Sequence, residues 1–139
     1  MVKYLLDTNI CVFFLRGEKS IAEQILNYGI DNCRISEITV AELLYGVACD
    51  EYNLKKNLEK VNEFIEILPV IPITNVLLEY ARQKSILRKE GKLIDDMDLF
   101  IGATAIVNNM ILVTDNEKHL NRLQNIKTEN WLIRNKPIR

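Results

Sequence analysis

One histidine, His119, stands in a chain of 139 residues. That scarcity excludes every zinc site built on two histidines and every dyad that needs a second imidazole. A lone histidine beside a helical stretch is ordinarily a surface residue. Cysteine is nearly as scarce. Cys11, Cys33 and Cys49 are odd in number and form no C-x-x-C pair, which fits reduced thiols rather than a disulfide framework or a thiolate metal site. Five glycines and three prolines are too few for a linker or a low-complexity segment. Neither sign of charge dominates: 18 basic and 19 acidic residues leave a net −1. Bulk positive charge therefore cannot hold this chain to nucleic acid, and any such binding needs a local basic surface or a bound metal. The phosphate loop G-x-x-x-x-G-K-[ST], the dinucleotide fingerprint G-x-G-x-x-G and the nucleophile elbow G-x-S-x-G are all missing, pointing away from NTPases, dehydrogenases and serine hydrolases. No apolar run approaches the roughly 18 residues that span a bilayer. "MVKYLLDTN" carries too short an apolar run for a signal peptide. The expectation is a soluble, cytoplasmic protein without membrane contact.

What is present is globular: 48% hydrophobic and 27% charged residues. Residues 1–139 read as one domain. "VKYLL" reads as a short buried strand stopped by the turn-forming "DTN". "SIAEQILNYG" reads as a helix with Ser20 as N-cap and Gly29 as stop. "CRIS" is a strand and "TVAELLYGVAC" a helix. "NLKKNLEKVNEFIEIL" sets Leu54, Leu58, Val61, Ile65 and Leu68 at helical spacing. "VIPI" is a strand, "NVLLEYARQKSILRKEG" a long helix ending at Gly91, and "LFIGATAIVNN" a helix. "MILVT" is a buried strand, and "NWLIR" a candidate last one. Strands alternating with helices imply an α/β fold, a mostly parallel sheet flanked by helices. Sites in such sheets form beyond the carboxyl ends of the strands.

Acids fall at those ends. Asp7 follows the first strand, and Asp115 follows "MILVT". Asp95, Asp96 and Asp98 crowd ahead of "LFIGATAIV". Each has an ordinary reading. Asp7 and Asp115 suit turns, and Asp7 also suits a helix cap. Thr39 and Glu42 fit an S/T-x-x-E capping box. That spacing favours the cap, while the apolar surroundings count against it. Asp98 suits a helix N-terminus, an interaction worth about 0.3–1 kcal/mol, which accounts for one acid rather than three. Jointly the acids ask for more. Two carboxylates about 5 Å apart repel by roughly 3 kcal/mol at an effective dielectric of 20. A cluster must take up protons or bind a cation. Oxygen donors without cysteine or paired histidine suit Mg²⁺ or Mn²⁺. Such an ion, held by one or two carboxylates and several waters, suits phosphate-ester hydrolysis.

The segments "LLDTNICVF", "ITVAELLYGV", "DDMDLFIGATAI" and "ILVTDNEKHL" resemble the successive motifs of PIN-domain ribonucleases, most nearly the VapC-type toxins of toxin–antitoxin modules. Each motif is weakly specific alone. In order and at similar spacing, up to the final "ENW", they are strongly specific. The resemblance implies catalytic acids at Asp7, Glu42 and Asp98. A divalent metal would be held mainly by Asp7 and Asp98. Glu42 would position or activate the attacking water, or bind metal through water. The family's fourth position falls on Asn116, with Asp115 beside it. Either residue, or neither, would complete the site. Asp96 falls where related sequences are often acidic and would support the site, whereas Asp95 is expected to be exposed. The resemblance further implies hydrolysis of RNA to a 5′-phosphate and a 3′-hydroxyl, inhibition by a cognate antitoxin whose C-terminal segment covers the acids, and a homodimer.

Local basic residues would guide RNA: Arg82, Lys84, Arg88, Lys89 and Lys92, with Lys118 and Arg122 further on. A solvated helix face is the better account of most of these. The rival from another class is a non-catalytic PIN-like module that binds metal or RNA without cutting. Retention of Asp7, Glu42 and Asp98 together argues against it. A phosphorelay receiver would need paired acids near the first strand, and "LLDTN" has one.

Overall fold

Tyr4, Leu5 and Leu6 are buried on both faces of the chain's first strand, β1 (Tyr4–Leu6). A strand with no solvent-facing side belongs in the middle of a covered sheet. In the computed structural model, which describes residues 1–132, it does. Four more strands, β2 (Cys33–Ser36), β3 (Val70–Ile71), β4 (Ile111–Val113) and β5 (Thr128–Glu129), complete a sheet of order β3-β2-β1-β4-β5. Every pairing is parallel. The helices are α1 (Thr8–Leu15), α2 (Lys19–Tyr28), α3 (Glu37–Cys49), α4 (Leu54–Ile67), α5 (Leu77–Lys89), α6 (Asp96–Val107) and α7 (Glu117–Leu120).

Side chains alternate across the sheet and divide the core in two. Tyr4, Leu6 and Val113 face a layer that includes Ile10, Ile25, Leu43, Val61 and Phe64, from α1 to α4. Leu5 and Leu112 face the opposite layer, with Leu87, Leu99, Ile101 and Ala105, from α5 and α6. The sheet is thus flanked by helices on both faces, the α/β architecture expected from the alternation of elements.

Several boundaries differ from the sequence reading. "DTN" is not a turn: the chain enters α1 directly, and Asp7 is its N-cap. Ser20 lies buried inside the first turn of α2, whose N-cap position is Glu18. The stripe of α4 turns onto Val61, Phe64 and Leu68, leaving Leu54 and Leu58 exposed. β3 stops at Ile71 because Pro72 has no N–H to donate. The last strand is Thr128–Glu129 rather than "NWLIR", of which Ile133 and Arg134 lie outside the described residues. Trp131 is instead stacked on Tyr28, with ring centroids 5.1 Å apart.

Two glycines set the approach to α6. Gly91 has φ +68°, and with it Lys92 N–H reaches Leu87 O at 2.8 Å, closing α5 in a left-handed cap. Gly102 lets the segment after α7 lie on α6, for a Cβ there would stand 2.8 Å from Leu123 Cδ2 and 3.3 Å from Leu120 Cδ1. Gly102→Val is expected to cost roughly 1–3 kcal/mol through overpacking, read as a lower urea midpoint at an unchanged slope.

Candidate active site

β1 has β2 on one side and β4 on the other, so the chain's first strand is where the sheet changes direction. In open parallel sheets a crevice forms at that switch, beyond the carboxyl ends. Asp7 stands at its floor. Its N–H donates to Val113 O at 2.9 Å, extending the β1–β4 ladder by one residue. The residue is 4% exposed. Oδ1 accepts from Thr8 N–H at 2.8 Å, and Oδ2 accepts from the Thr114 hydroxyl at 2.7 Å. Burial raises the Asp7 carboxyl above its ordinary range, and those two hydrogen bonds partly offset the rise.

Glu42 arrives from α3. The Thr8 hydroxyl donates to Glu42 Oε1 at 2.6 Å and lies 3.0 Å from the Thr39 hydroxyl. A hydroxyl has one hydrogen to give. Since Thr8 gives it to Glu42, Thr39 is the donor to Thr8. Thr8 therefore joins two acids, Asp7 through its N–H and Glu42 through its hydroxyl. The capping-box reading of Thr39 and Glu42 fails. α3 begins two residues before Thr39, and its cap is Ser36, whose Oγ accepts from Ile38 N–H at 3.1 Å.

Asp98 comes from the first turn of α6 and is half-buried. No protein donor among the described residues reaches its carboxylate. Its carboxyl is pushed up to about 6, first by burial and then by the charges of Asp7, Asp95 and Glu42. Asp98 therefore shares a field with both other expected catalytic acids. Asp95 caps α6 through Met97 N–H at 3.1 Å and is exposed.

Asp96 does not join this group. Its Oδ1 accepts from Tyr80 Oη at 2.9 Å and Lys84 Nζ at 2.8 Å, which hold its carboxyl below the ordinary range. The same pair withdraws Lys84 from the expected basic guide, and Arg82 is paired with Glu79 at 2.7 Å. Asp115 Oδ1 accepts from Asn130 Nδ2 at 3.1 Å. Asn116 starts α7, its N–H donating to Thr114 Oγ1 at 3.0 Å. Sequence reasoning assigned Thr39 the wrong partner, and it passed over Thr8 and Thr114. Their signal was a threonine adjoining the motif aspartate in both "LDTN" and "VTDN".

Among the described residues, no three His, Cys, Asp or Glu side chains gather tightly enough to hold a metal on their own. The donor set nonetheless fits a hard cation bound by two carboxylates and water. It is all oxygen, with one buried carboxylate and another that no protein donor among the described residues reaches.

A PIN-domain family model matches residues 4–125. The ribonuclease VapC2 of Haemophilus influenzae is 32% identical over 133 residues, covering 95% of this chain and all of the relative. The tRNA(fMet)-specific endonuclease VapC of Shigella flexneri is 26% identical over 132 residues, covering 94% and 99%. The crystal structure of VapBC2 from Rickettsia felis bound to a promoter DNA fragment superposes with a TM-score of 0.85 at 33% identity, covering 94% and 99%. The chain belongs to the PIN-domain family. Within that family it is a VapC-type ribonuclease, the toxin class of toxin–antitoxin modules. PIN-domain ribonucleases are generally metal-dependent.

Two predictions arise from this geometry. The unfolded Asp98 carboxyl titrates near its ordinary 3.8 and the folded one near 6. The folded state thus holds the extra proton between those values, and stability falls as pH rises through that window. In EDTA, Asp98→Asn should melt about a few degrees above wild type at pH 8 and level with it below about pH 4. Glu42→Gln should keep wild-type helix content by circular dichroism, whereas Ser36→Ala, which removes the true cap of α3, should cost about 1 kcal/mol.

Proposed function

We propose that Asp7 and Asp98 hold a divalent cation, Mg²⁺ or Mn²⁺, and that Asp7, Glu42 and Asp98 carry out the hydrolytic cleavage of RNA by this chain. The observation that carries the proposal is the Asp98 carboxylate itself: half-buried in the first turn of α6, in the field of Asp7, Asp95 and Glu42, and with no protein donor among the described residues. A bound cation lowers the pKa of a coordinated water and neutralises charge on the scissile phosphate. Asp7 gives a fixed anchor, since both its oxygens are pinned. Glu42, held at Oε1 by Thr8, keeps Oε2 for orienting the attacking water or taking its proton. Thr8 and Thr114 fix the two acids to adjoining elements. Asp115 is bonded to Asn130 and Asn116 is the residue before α7, and this reading completes the set without either.

A groove of about 340 Å³ runs from Glu42 between α1, α3 and α4. Leu15, Leu43, Val47 and Val61 line it, with Arg16 and Lys60 at its edges. An amphipathic antitoxin segment would seat there and close access to the acids. A second copy of the chain would cover Leu77 and Leu78 on α5, 49% and 82% exposed, with Met97 of α6 nearby. On this reading residues 1–139 form one PIN domain acting as a homodimer. Light scattering should then report twice the chain mass for the purified toxin and the single mass for Leu78→Lys.

The activity test is cleavage of total bacterial RNA by the purified chain free of antitoxin, with Mg²⁺ or Mn²⁺, with EDTA, and beside Asp7→Asn and Asp98→Asn prepared identically. Discrete products from the wild type with metal, absent with EDTA and reduced at least about a thousandfold in both variants, are the expected result; that reduction equals roughly 4 kcal/mol of transition-state stabilisation. Equal cleavage by the variants would place the chemistry elsewhere. No cleavage by any of them would favour the non-catalytic module.

A further inference from the structure

Glu42 opens onto the groove described above, but Asp98 opens onto a different depression. This second pocket, of about 260 Å³, is lined by Leu93, Ile94, Asp95, Asp98, His119 and Arg122. It lies where residues 92–95 meet α7 and the turn that follows. That meeting is held from several sides. Gly91 turns residues 92–95 toward α6, and Gly102 admits Leu120 and Leu123 against it. Arg122 Nη1 donates to Lys92 O at 3.3 Å and Leu93 O at 3.4 Å. Those contacts anchor the guanidinium on the pocket wall. Its Nε and Nη2 donors have no protein acceptor among the described residues, and neither has the ring of His119.

The pocket therefore sets carboxylates against an anchored guanidinium and an imidazole whose N–H is available in either tautomer. A carboxylate from a protein partner would meet the same donors, but it would also meet the repulsion of Asp95 and Asp98 with nothing else to hold it there. A polyanion whose reacting group already sits at Asp98 is drawn onward by the opposite wall. We propose that His119 and Arg122 form the subsite for the RNA phosphate next to the scissile one. Arg122 grips two of its oxygens with a planar fork, and His119 donates a further hydrogen bond. Both are positioning residues: they set which phosphodiester is presented to Asp98. The inference rests on the reading that RNA is cut at Asp7 and Asp98.

The test uses an RNA oligonucleotide that spans a mapped cleavage site, with single methylphosphonates replacing each phosphate on either side. Steady-state cleavage is measured for the full-length wild type, His119→Ala, Arg122→Ala and Arg122→Lys. In the wild type, one neighbouring methylphosphonate should raise KM about tenfold with kcat nearly unchanged, the mark of lost uniform binding. Arg122→Ala should raise KM for unmodified RNA by a similar factor and be indifferent to that same methylphosphonate, as coupled partners are in a double-mutant cycle. Arg122→Lys should recover part of the loss. His119→Ala, which removes an exposed ring with no side-chain hydrogen bond among the described residues, should raise KM severalfold and keeps the test decisive if Arg122→Ala misfolds.

A wild type that cuts the RNA yet ignores every neighbouring methylphosphonate overturns the inference. So does an Arg122→Ala enzyme that remains as sensitive as wild type. Arg122→Ala that keeps the wild-type KM for RNA but escapes antitoxin inhibition assigns the pocket to the protein partner, and overturns it too. A wild type that cuts nothing with Mg²⁺ or Mn²⁺ sinks the parent reading, and this one with it.

Discussion

Negative charge that the protein itself does not neutralise gathers at the carboxyl end of the central strand, and the rest of the structure is arranged around it. Asp7 is nearly waterless because β1 is covered on both faces by helices. A buried carboxylate is costly unless its oxygens are bonded. The chain meets that cost with an amide, Thr8 N–H, and a hydroxyl, Thr114. Neither brings a positive charge. The two acids that share the field, Glu42 and Asp98, bring more of the same sign. Among the described residues, the ion-paired cations serve other acids: Lys84 holds Asp96 and Arg82 holds Glu79.

A local arrangement this unfavourable persists because both faces of the sheet are clamped by packed apolar layers. β1 fixes Asp7, β4 carries Thr114 beside it, α3 delivers Glu42 and α6 delivers Asp98, each from a different stretch of chain. On the proposed function, the stability given up at the acids is what a bound cation would recover, since a ligand that binds only the folded state adds to its stability. Two depressions reach the acids. One, at Glu42, is largely apolar and suited to a protein segment. The other, at Asp98, sets His119 and Arg122 opposite the carboxylates and is suited to a phosphate.

The parallel α/β architecture was readable because apolar strand runs and helical stripes alternate along the chain, as in "VKYLL" and "MILVT" against "LFIGATAIV". Asp7, Glu42 and Asp98 were readable as candidates from four ordered motifs. Caps and boundaries were less so, because neighbouring residues compete for the same role. Asp7 was as good a turn residue as a cap. Thr39 read as the start of α3, but the helix begins two residues earlier, where Ser36 Oγ accepts from Ile38 N–H and the Thr39 hydroxyl turns to Thr8. Asp95, Asp96 and Asp98 are alike in sequence. Only the packing of α5 on α6 brings Lys84 and Tyr80 to Asp96 and leaves Asp98 facing Asp7. The threonine links and the pairing of α7 with residues 92–95 span more than twenty positions of chain, beyond the reach of local spacing.

The most direct measurement is the melting temperature of the antitoxin-free chain at pH 7.5 against Mg²⁺ or Mn²⁺ concentration, for wild type and Asp98→Asn in parallel. If the acids are gathered for a cation, the wild type gains stability in proportion to the logarithm of free metal above its Kd. Asp98→Asn, already relieved of repulsion, starts higher and gains little. A wild type whose melting temperature does not move with either metal, or a variant that gains as much as wild type, would contradict the account.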